Sequence, residues 1–182
     1  MTSTPTVSFR NAFTRLLWCL TVVLTSLVFG RTCHAADLRV LTVCDALRLG
    51  TALNGESIVL VGWLSSTPEG TWADQPCLTH VQTDGFLWKD TVHVLVKENI
   101  SDRPTKLSPA ELEAIAAAKQ AVLSVASPNG RVEAVYGRIR TKKLRTFSCG
   151  KDLCGLGFGH MGWAPIQIEV ALDYLIADSG KK

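Results

Sequence analysis

The chain has 182 residues, of which 47% are hydrophobic, and its 19 lysines and arginines exceed its 16 acidic residues by three. Three of the basic residues, Arg10, Arg15 and Arg31, precede residue 36, and no acidic residue does. Without residues 1–35 the chain is formally neutral, so its composition does not indicate bulk attraction to nucleic acid or to an anionic membrane and leaves only local patches of charge to attract such partners. About 147 residues then remain, which is enough for one domain with its own core.

The amino-terminal segment has the three parts of a secretory signal peptide. Two arginines precede an apolar run at residues 16–30, and Ala35 and Ala36 provide small residues at the position of a cleavage site. The run is short for a membrane span. We therefore predict a cleaved signal at residues 1–35, a periplasmic or secreted domain at 36–182, and no stable membrane span after cleavage. Because Arg31 is atypical at its position, an uncleaved membrane anchor is the alternative.

Four cysteines follow the predicted signal, and an even number in an exported chain indicates disulfides. Of the three possible pairings, we predict Cys44 with Cys77 and Cys149 with Cys154, because the second pair closes a short glycine-containing loop. Loop-closure entropy then gives the longer bridge up to about 4 kcal/mol of stabilisation and the shorter about 2.

The strongest strand signal begins at residue 57, after the turn residues Asn54 and Gly55. Its apolar residues fall on both faces, with Ile58, Leu60 and Leu64 on one and Val59, Val61 and Trp63 on the other. This pattern predicts a central strand that is buried on both sides. Gly62 predicts a bulge or sharp bend, which small closed barrels need where a strand passes between sheets.

The other predicted elements follow in chain order. A short helix at 43–49 with Thr42 as its cap precedes the first strand, and an irregular loop at 67–77 follows that strand. A weak strand at 78–82 and a clearer one at 91–96 come next. The main helix begins at the capping sequence 108–111, where Ser108 is followed by Pro109 and Glu111. A strand at 131–143, a long glycine-rich connection at 144–165 and a strand at 166–176 complete the chain.

Three strands, a helix and two strands are the order of an OB-fold. We therefore predict a mainly β domain, a five-stranded OB-like Greek-key barrel with one helix between strands three and four and a short amino-terminal helix. Cys44-Asp45, the Asn54-Gly55 entry to a glycine-bent strand and the sequence Gly-Phe-Gly-His at 157–160 before Pro165 resemble small exported bacterial proteins of OB-like fold and unassigned function. The resemblance covers most of the mature chain and implies the fold, but it implies no catalytic residues.

OB barrels bind ligands at a face bordered by the loops after strands one and four, which here are 67–77 and 144–165. Residues 137–151 hold six cations and no acid, and aromatic residues follow them. Cations beside rings are typical of proteins that bind a charged polymer. We predict that the ligand is an anionic polymer or a periplasmic partner protein. The predicted ligand-binding residues are Trp72, Arg138, Arg140, Lys142, Lys143, Arg145, His160 and Trp163.

Two other interpretations compete with a binding face. The cations can be solvated surface that keeps a strand edge from pairing with another chain, in a purely structural domain. Cys149, Cys154 and His160, with His80 or Asp152, can instead be zinc ligands of a metal-dependent hydrolase or a metal-handling protein. An oxidising compartment favours a disulfide between those cysteines, so we assign no metal.

The sequence shows no serine or cysteine in a recognisable nucleophile context. The glycines at 155, 157 and 159 are followed by a strand and not by a helix, so they do not indicate a phosphate-binding loop. We expect them to serve close backbone packing or a mobile loop. We therefore assign no cofactor and predict a non-enzymatic binding module.

Overall fold

The computed structural model describes residues 38–98, 104, 106–125, 131–160 and 162–176, apart from the side chains of 172–174. The chain divides into two units, Met1–Ala36 and Asp37–Lys182, and every described residue lies in the second. The predicted signal at 1–35 is therefore outside the described residues. Across the part of the chain that is described, no helix is long and apolar enough to cross a membrane.

The described residues are mainly β, with ten strands and two helices. The strands are β1 (Arg39–Thr42), β2 (Ser57–Thr67), β3 (Gly70–Asp74), β4 (Gln82–Thr83), β5 (Phe86–Leu87), β6 (Thr91–Val96), β7 (Arg131–Arg140), β8 (Thr146–Cys149), β9 (Asp152–Gly155) and β10 (Ile166–Leu175). The helices are α1 (Val43–Leu49) and α2 (Pro109–Leu123), and a short 3-10 turn (Gly50–Leu53) follows α1.

Five strands close into a barrel, which confirms the prediction of a mainly β barrel. They pair in the order β2–β3–β6–β10–β7, and β7 pairs back with β2. Neighbours are antiparallel except β6 and β10, which run parallel with Ile166 opposite Val92. β1 adds to β2 in parallel outside this ring. The small pairs β4–β5 and β8–β9 form separate two-stranded sheets.

β2 is buried on both faces as its sequence predicts. Ile58 and Leu60 join the core cluster that also holds barrel residues of β6 and β10. Val59 and Val61 belong to a second cluster with Ile115 of α2. One strand therefore holds the barrel core on one side and the main helix on the other, which explains why its apolar run has no polar alternation.

The ladder between β2 and β7 is continuous through the pair of Gly62 with Glu133, so it has no bulge there, and the sharp bend that was the other expectation stays a prediction. The glycine is needed for close packing. A Cβ at this position would lie 2.6 Å from Cγ2 of Val43, the first residue of α1. Gly62 also marks where the other edge of β2 changes partner, since pairing with β1 ends at Val61 and pairing with β3 begins at Trp63.

Both helices begin where their caps predict. In α1 the Thr42 side chain accepts a hydrogen bond from Asp45 N, and Val43, Ala46 and Leu47 are buried with the barrel core. In α2 the capping box is complete, since Ser108 accepts from Glu111 N and Glu111 accepts from Ser108 N. The backbone and side chain of Ser108 and the backbone of Leu38 donate to Glu111 and lower the pKa of its carboxyl.

Three predicted boundaries are wrong. The strand expected at 78–82 is absent from this stretch apart from Gln82 in β4, and Leu78 is fully exposed. The second barrel strand is instead β3, inside the expected loop at 67–77, where of its five residues only Ala73 is buried. β7 ends at Arg140 and not at residue 143, and the long connection after it contains the β8–β9 hairpin.

Candidate functional site

The connection between β7 and β10 is built on a disulfide-bonded hairpin. β8 and β9 pair antiparallel with Phe147 opposite Cys154 and Cys149 opposite Asp152. The predicted bridge from Cys149 to Cys154 is present across this hairpin, as is the predicted bridge from Cys44 to Cys77. The Thr146 hydroxyl lies 3.3 Å from Asp84 Oδ2, which joins the hairpin to the turn between β4 and β5.

The loop after β9 lies against two tryptophan rings, and its glycines make this close approach possible. A Cβ on Gly155 or Gly157 would lie 2.7 Å from the Trp88 ring, and one on Gly159 would overlap the Trp72 ring. Trp88 is buried, and its Nε1 donates to the Thr83 hydroxyl at 3.1 Å. The expectation of close backbone packing at these glycines is confirmed.

A groove of about 530 Å³ lies between the β8–β9 hairpin, the loop after it and Phe86. We call it the apolar groove. Its walls are the side chains of Phe86, Phe147, Leu153, Leu156, His160 and Trp163, with Cys154 and the glycines at 155, 157, 159 and 162. Leu156 is 50% exposed, Phe147 46% and Trp163 36%. A surface patch with several large apolar side chains is more often a binding site than other parts of a protein surface are.

Two lysines border the apolar groove. Nζ of Lys89 lies 3.5 Å from the centre of the Trp163 ring. Nζ of Lys142 donates to the carbonyl of Gly157, a groove residue, and lies 4.5 Å from the centre of the Phe158 ring. A cation over a ring face is attracted by the electrons of the ring. Positive charge is thus fixed at the border of an apolar surface.

Arg138 and Arg140 belong to the barrel wall. Arg140 Nε donates to Glu169 Oε2 at 2.8 Å, and Lys97 Nζ donates to the other carboxylate oxygen. Arg138 lies opposite Glu169 in the ladder between β7 and β10 and is half-buried. Burial by itself would raise the pKa of Glu169, but the hydrogen bonds and charges of Lys97 and Arg140 outweigh it and lower the pKa.

The other three cations are available to a ligand. Lys143, Arg145 and Lys151 are exposed, and their side chains make no hydrogen bond or ion pair with any residue that the structure describes. Arg145 directly precedes β8, and its carbonyl accepts from Leu156 N at 2.8 Å, so it lies beside a wall of the apolar groove. Lys151 lies in the turn of the β8–β9 hairpin.

Trp72 supports the loop from beneath. Its ring centre is 5.0 Å from that of His93, and Gly159 packs on it. His93 Nδ1 is in turn 3.0 Å from Gln167 Oε1, so this row crosses β3, β6 and β10 on the outside of the barrel. Of the predicted site residues, the structure therefore brings His160 and Trp163 into the groove walls and Lys142 to its border. Trp72 is not among the lining residues.

The zinc-ligand alternative needs thiolates from Cys149 and Cys154, but their sulfurs are bonded to each other. His80, its possible fourth ligand, has Nδ1 2.8 Å from Asp90 Oδ1. Within the described ranges no three or more His, Cys, Asp or Glu side chains are grouped as metal ligands would be. The disulfide is therefore the observed use of the two cysteines.

Sequence reasoning missed Phe86, Lys89, Leu153 and Leu156. Phe86 and Lys89 lie on either side of the buried Trp88 in the sequence 86–89. Nothing in a short apolar run that ends in a lysine indicates that it lies next to a loop about 70 residues further along the chain. Leu156 and Phe158 alternate with glycines that face the tryptophan rings. That alternation is the one sequence signal that these side chains point away from the packed surface.

Comparisons with protein-family models, with curated proteins and with solved structures found no match to this chain. The function is therefore argued from the chemistry of the site. The apolar groove offers burial of an apolar group and attraction of negative charge at its border.

Proposed function

We propose that the barrel is an OB-fold with Greek-key connections. Three observations support this: the strand order β2–β3–β6–β10–β7, the parallel contact of β6 with β10, and the place of α2 between the third and fourth barrel strands in the chain. The loops that border the binding face of such a barrel follow its first and fourth strands. The connection after β7, which carries the apolar groove, is the second of these loops.

On this barrel we propose an exported, non-enzymatic binding module that holds an anionic partner at the apolar groove. The observation that carries the proposal is the position of Lys89, Lys142 and Arg145 at the border of one exposed apolar surface, where Arg145 has no side-chain partner among the described residues. The two disulfides indicate an oxidising, extracytoplasmic environment. A partner would therefore be met outside the cytoplasm.

A partner protein suits the groove better than a charged polymer whose bases or sugars stack on rings. Stacking needs an open ring face. One face of Trp163 is taken by Lys89 and one of Phe158 by Lys142, while Trp72 packs against Gly159 and His93. An acidic partner needs no such platform, because its carboxylates reach Lys143, Arg145 and Lys151 directly.

The test uses the protein purified from its export compartment with both disulfides intact. Binding of poly-L-glutamate and of oligothymidine is measured by fluorescence anisotropy over a range of salt. We expect the acidic polypeptide to bind, with affinity that falls as salt rises. The variant Lys143→Ala/Arg145→Ala should bind roughly tenfold more weakly, because two exposed ion pairs at up to about 1 kcal/mol each are lost.

The matched control is Lys106→Ala/Arg131→Ala, which removes the same charge at two exposed positions outside the connection between β7 and β10. It should retain wild-type affinity. An equal loss in both variants would show attraction by net charge alone. The proposal fails if neither probe binds at low salt. Tighter binding of oligothymidine than of poly-L-glutamate would favour an anionic polymer over a partner protein as the ligand.

A further inference from the structure

The apolar groove is held in shape by contacts within the protein. Gly155 and Gly157, which line it, pack against the buried ring of Trp88. The loop is closed on itself by hydrogen bonds of 2.7 Å from Gly157 N to Gly162 O and from Phe158 N to Ala164 O. The Cys149–Cys154 bridge fixes the hairpin wall. A groove held in this way needs little ordering on binding, so contact with it gains affinity efficiently.

The walls of the groove are suited to bind an apolar group, and the cations around it are suited to bind negative charge. A groove of about 530 Å³ lies within the range of small-ligand sites and has room for a large side chain. Phe147, Leu156 and Trp163 are partly exposed around it. Lys143, Arg145 and Lys151 are exposed cations with no partner among the described residues. One ligand that satisfies both is a chain segment with an apolar anchor flanked by carboxylates.

We propose that the partner is an acidic protein segment that inserts one large apolar side chain into the apolar groove. Its flanking carboxylates pair with Lys143, Arg145 and Lys151. This inference rests on the proposed function and deepens it by naming the group that fills the groove. Buried apolar anchors supply most of the binding energy in such contacts, whereas rim charges supply mainly rate and specificity.

The shape of the site separates this partner from two others. A membrane surface is bound by apolar side chains that project from a convex face, but here they line a concavity of about 530 Å³. A nucleic acid has no aliphatic side chain to bury, and it binds through open ring faces. Lys89 and Lys142 already cover faces of Trp163 and Phe158.

The experiment compares two synthetic acidic peptides that differ in one central residue, leucine or alanine, between runs of glutamate. Binding to the disulfide-intact protein is measured by isothermal titration calorimetry. We expect the leucine peptide to bind at least tenfold more tightly, since leucine buries more apolar surface in the groove than alanine does. Because the comparison uses the wild-type protein, it does not depend on the folding of any variant.

Two variants test whether the difference in affinity between the two peptides arises in the apolar groove. Leu156→Ser should remove the advantage of the leucine peptide and leave the alanine peptide unchanged. Leu123→Ser is the matched control, because Leu123 on α2 is also 50% exposed but does not line the groove. It should preserve the full difference between the two peptides.

The outcomes separate the inference from the proposed function. Equal binding of both peptides would overturn the apolar anchor and leave an electrostatic binding module intact. Absence of binding by either peptide would overturn both. Binding of phosphatidylglycerol vesicles or of oligothymidine that is tighter than either peptide and lost in Leu156→Ser would also overturn it, in favour of a lipid or a nucleic acid.

Discussion

The ammonium group of Lys89 lies 3.5 Å from the centre of the Trp163 ring, although one residue follows β5 and the other precedes β10. The contact joins the segment before β6 to the loop that carries the apolar groove. It therefore fixes one groove wall through electrostatic attraction between a cation and a ring.

Replacing Lys89 with methionine keeps the aliphatic stem and removes the charge. We expect a loss of about 0.5–1 kcal/mol in the free energy of unfolding, together with greater access of a quencher to Trp163. Urea denaturation and acrylamide quenching of tryptophan fluorescence measure the two effects. Lys106→Met is the control and should change neither. Unchanged quenching in Lys89→Met would mean that the lysine does not hold the ring.

Gly62→Ala should destabilise the barrel by about 1–3 kcal/mol, because the added methyl group would lie 2.6 Å from Cγ2 of Val43. The double variant Gly62→Ala/Val43→Ala tests the cause, since removal of the Val43 methyl groups makes room. We expect the double variant to lose less stability than the sum of the two single variants in thermal unfolding. Strict additivity would show that backbone conformation, and not this contact, requires the glycine.

The low pKa of Glu169 predicts how stability depends on pH. Its folded pKa is below the ordinary value of 4.5 because Lys97 and Arg140 outweigh the effect of burial. The stabilisation is therefore complete above pH 4.5 and is lost as the pH falls through the lower, folded value. Glu169→Gln should flatten the decrease in unfolding free energy below that pH. Urea titrations at neutral and acid pH measure this, and Glu113→Gln on the exposed side of α2 should behave as wild type.

The two disulfides should differ in their contributions to stability. Cys44 and Cys77 are 33 residues apart and Cys149 and Cys154 are 5 apart. Chain entropy then predicts a loss of up to about 4 kcal/mol for Cys44→Ala/Cys77→Ala and about 2 kcal/mol for Cys149→Ala/Cys154→Ala. Denaturant midpoints of the two variants give the order. The reverse order would show that packing around the hairpin, and not loop length, determines the contribution.

Local patterns predict the parts of this fold whose residues interact within one element. The double-sided apolar run of β2 and the capping box at Ser108 and Glu111 are seen as their sequences indicate. β3 escapes sequence reasoning because Ala73 is its one buried residue, so no alternation of apolar side chains marks it. Its place is decided by pairing with β2 and β6 on its two sides.

The site is harder to predict than the fold because its walls come from separate segments. Phe86 and Leu153 line the same groove because β5 lies beside β9. Cationic composition identifies Lys142, Lys143 and Arg145, but it does not reveal that Arg140 is committed to the buried Glu169. Such ion pairs between strands depend on the strand register, which a single sequence does not specify for strands that are far apart in the chain.

The order of the barrel strands has a consequence for how the chain matures. β2 and β6 are synthesised early, but each has one barrel partner in the carboxyl-terminal half of the chain. β2 pairs with β7, and β6 pairs with β10. During synthesis, the edges of β2 and β6 therefore stay open until β7 and β10 are available. A truncated product that ends before residue 166 leaves β6 and β7 each with an unpaired edge, and such edges recruit strands from other chains.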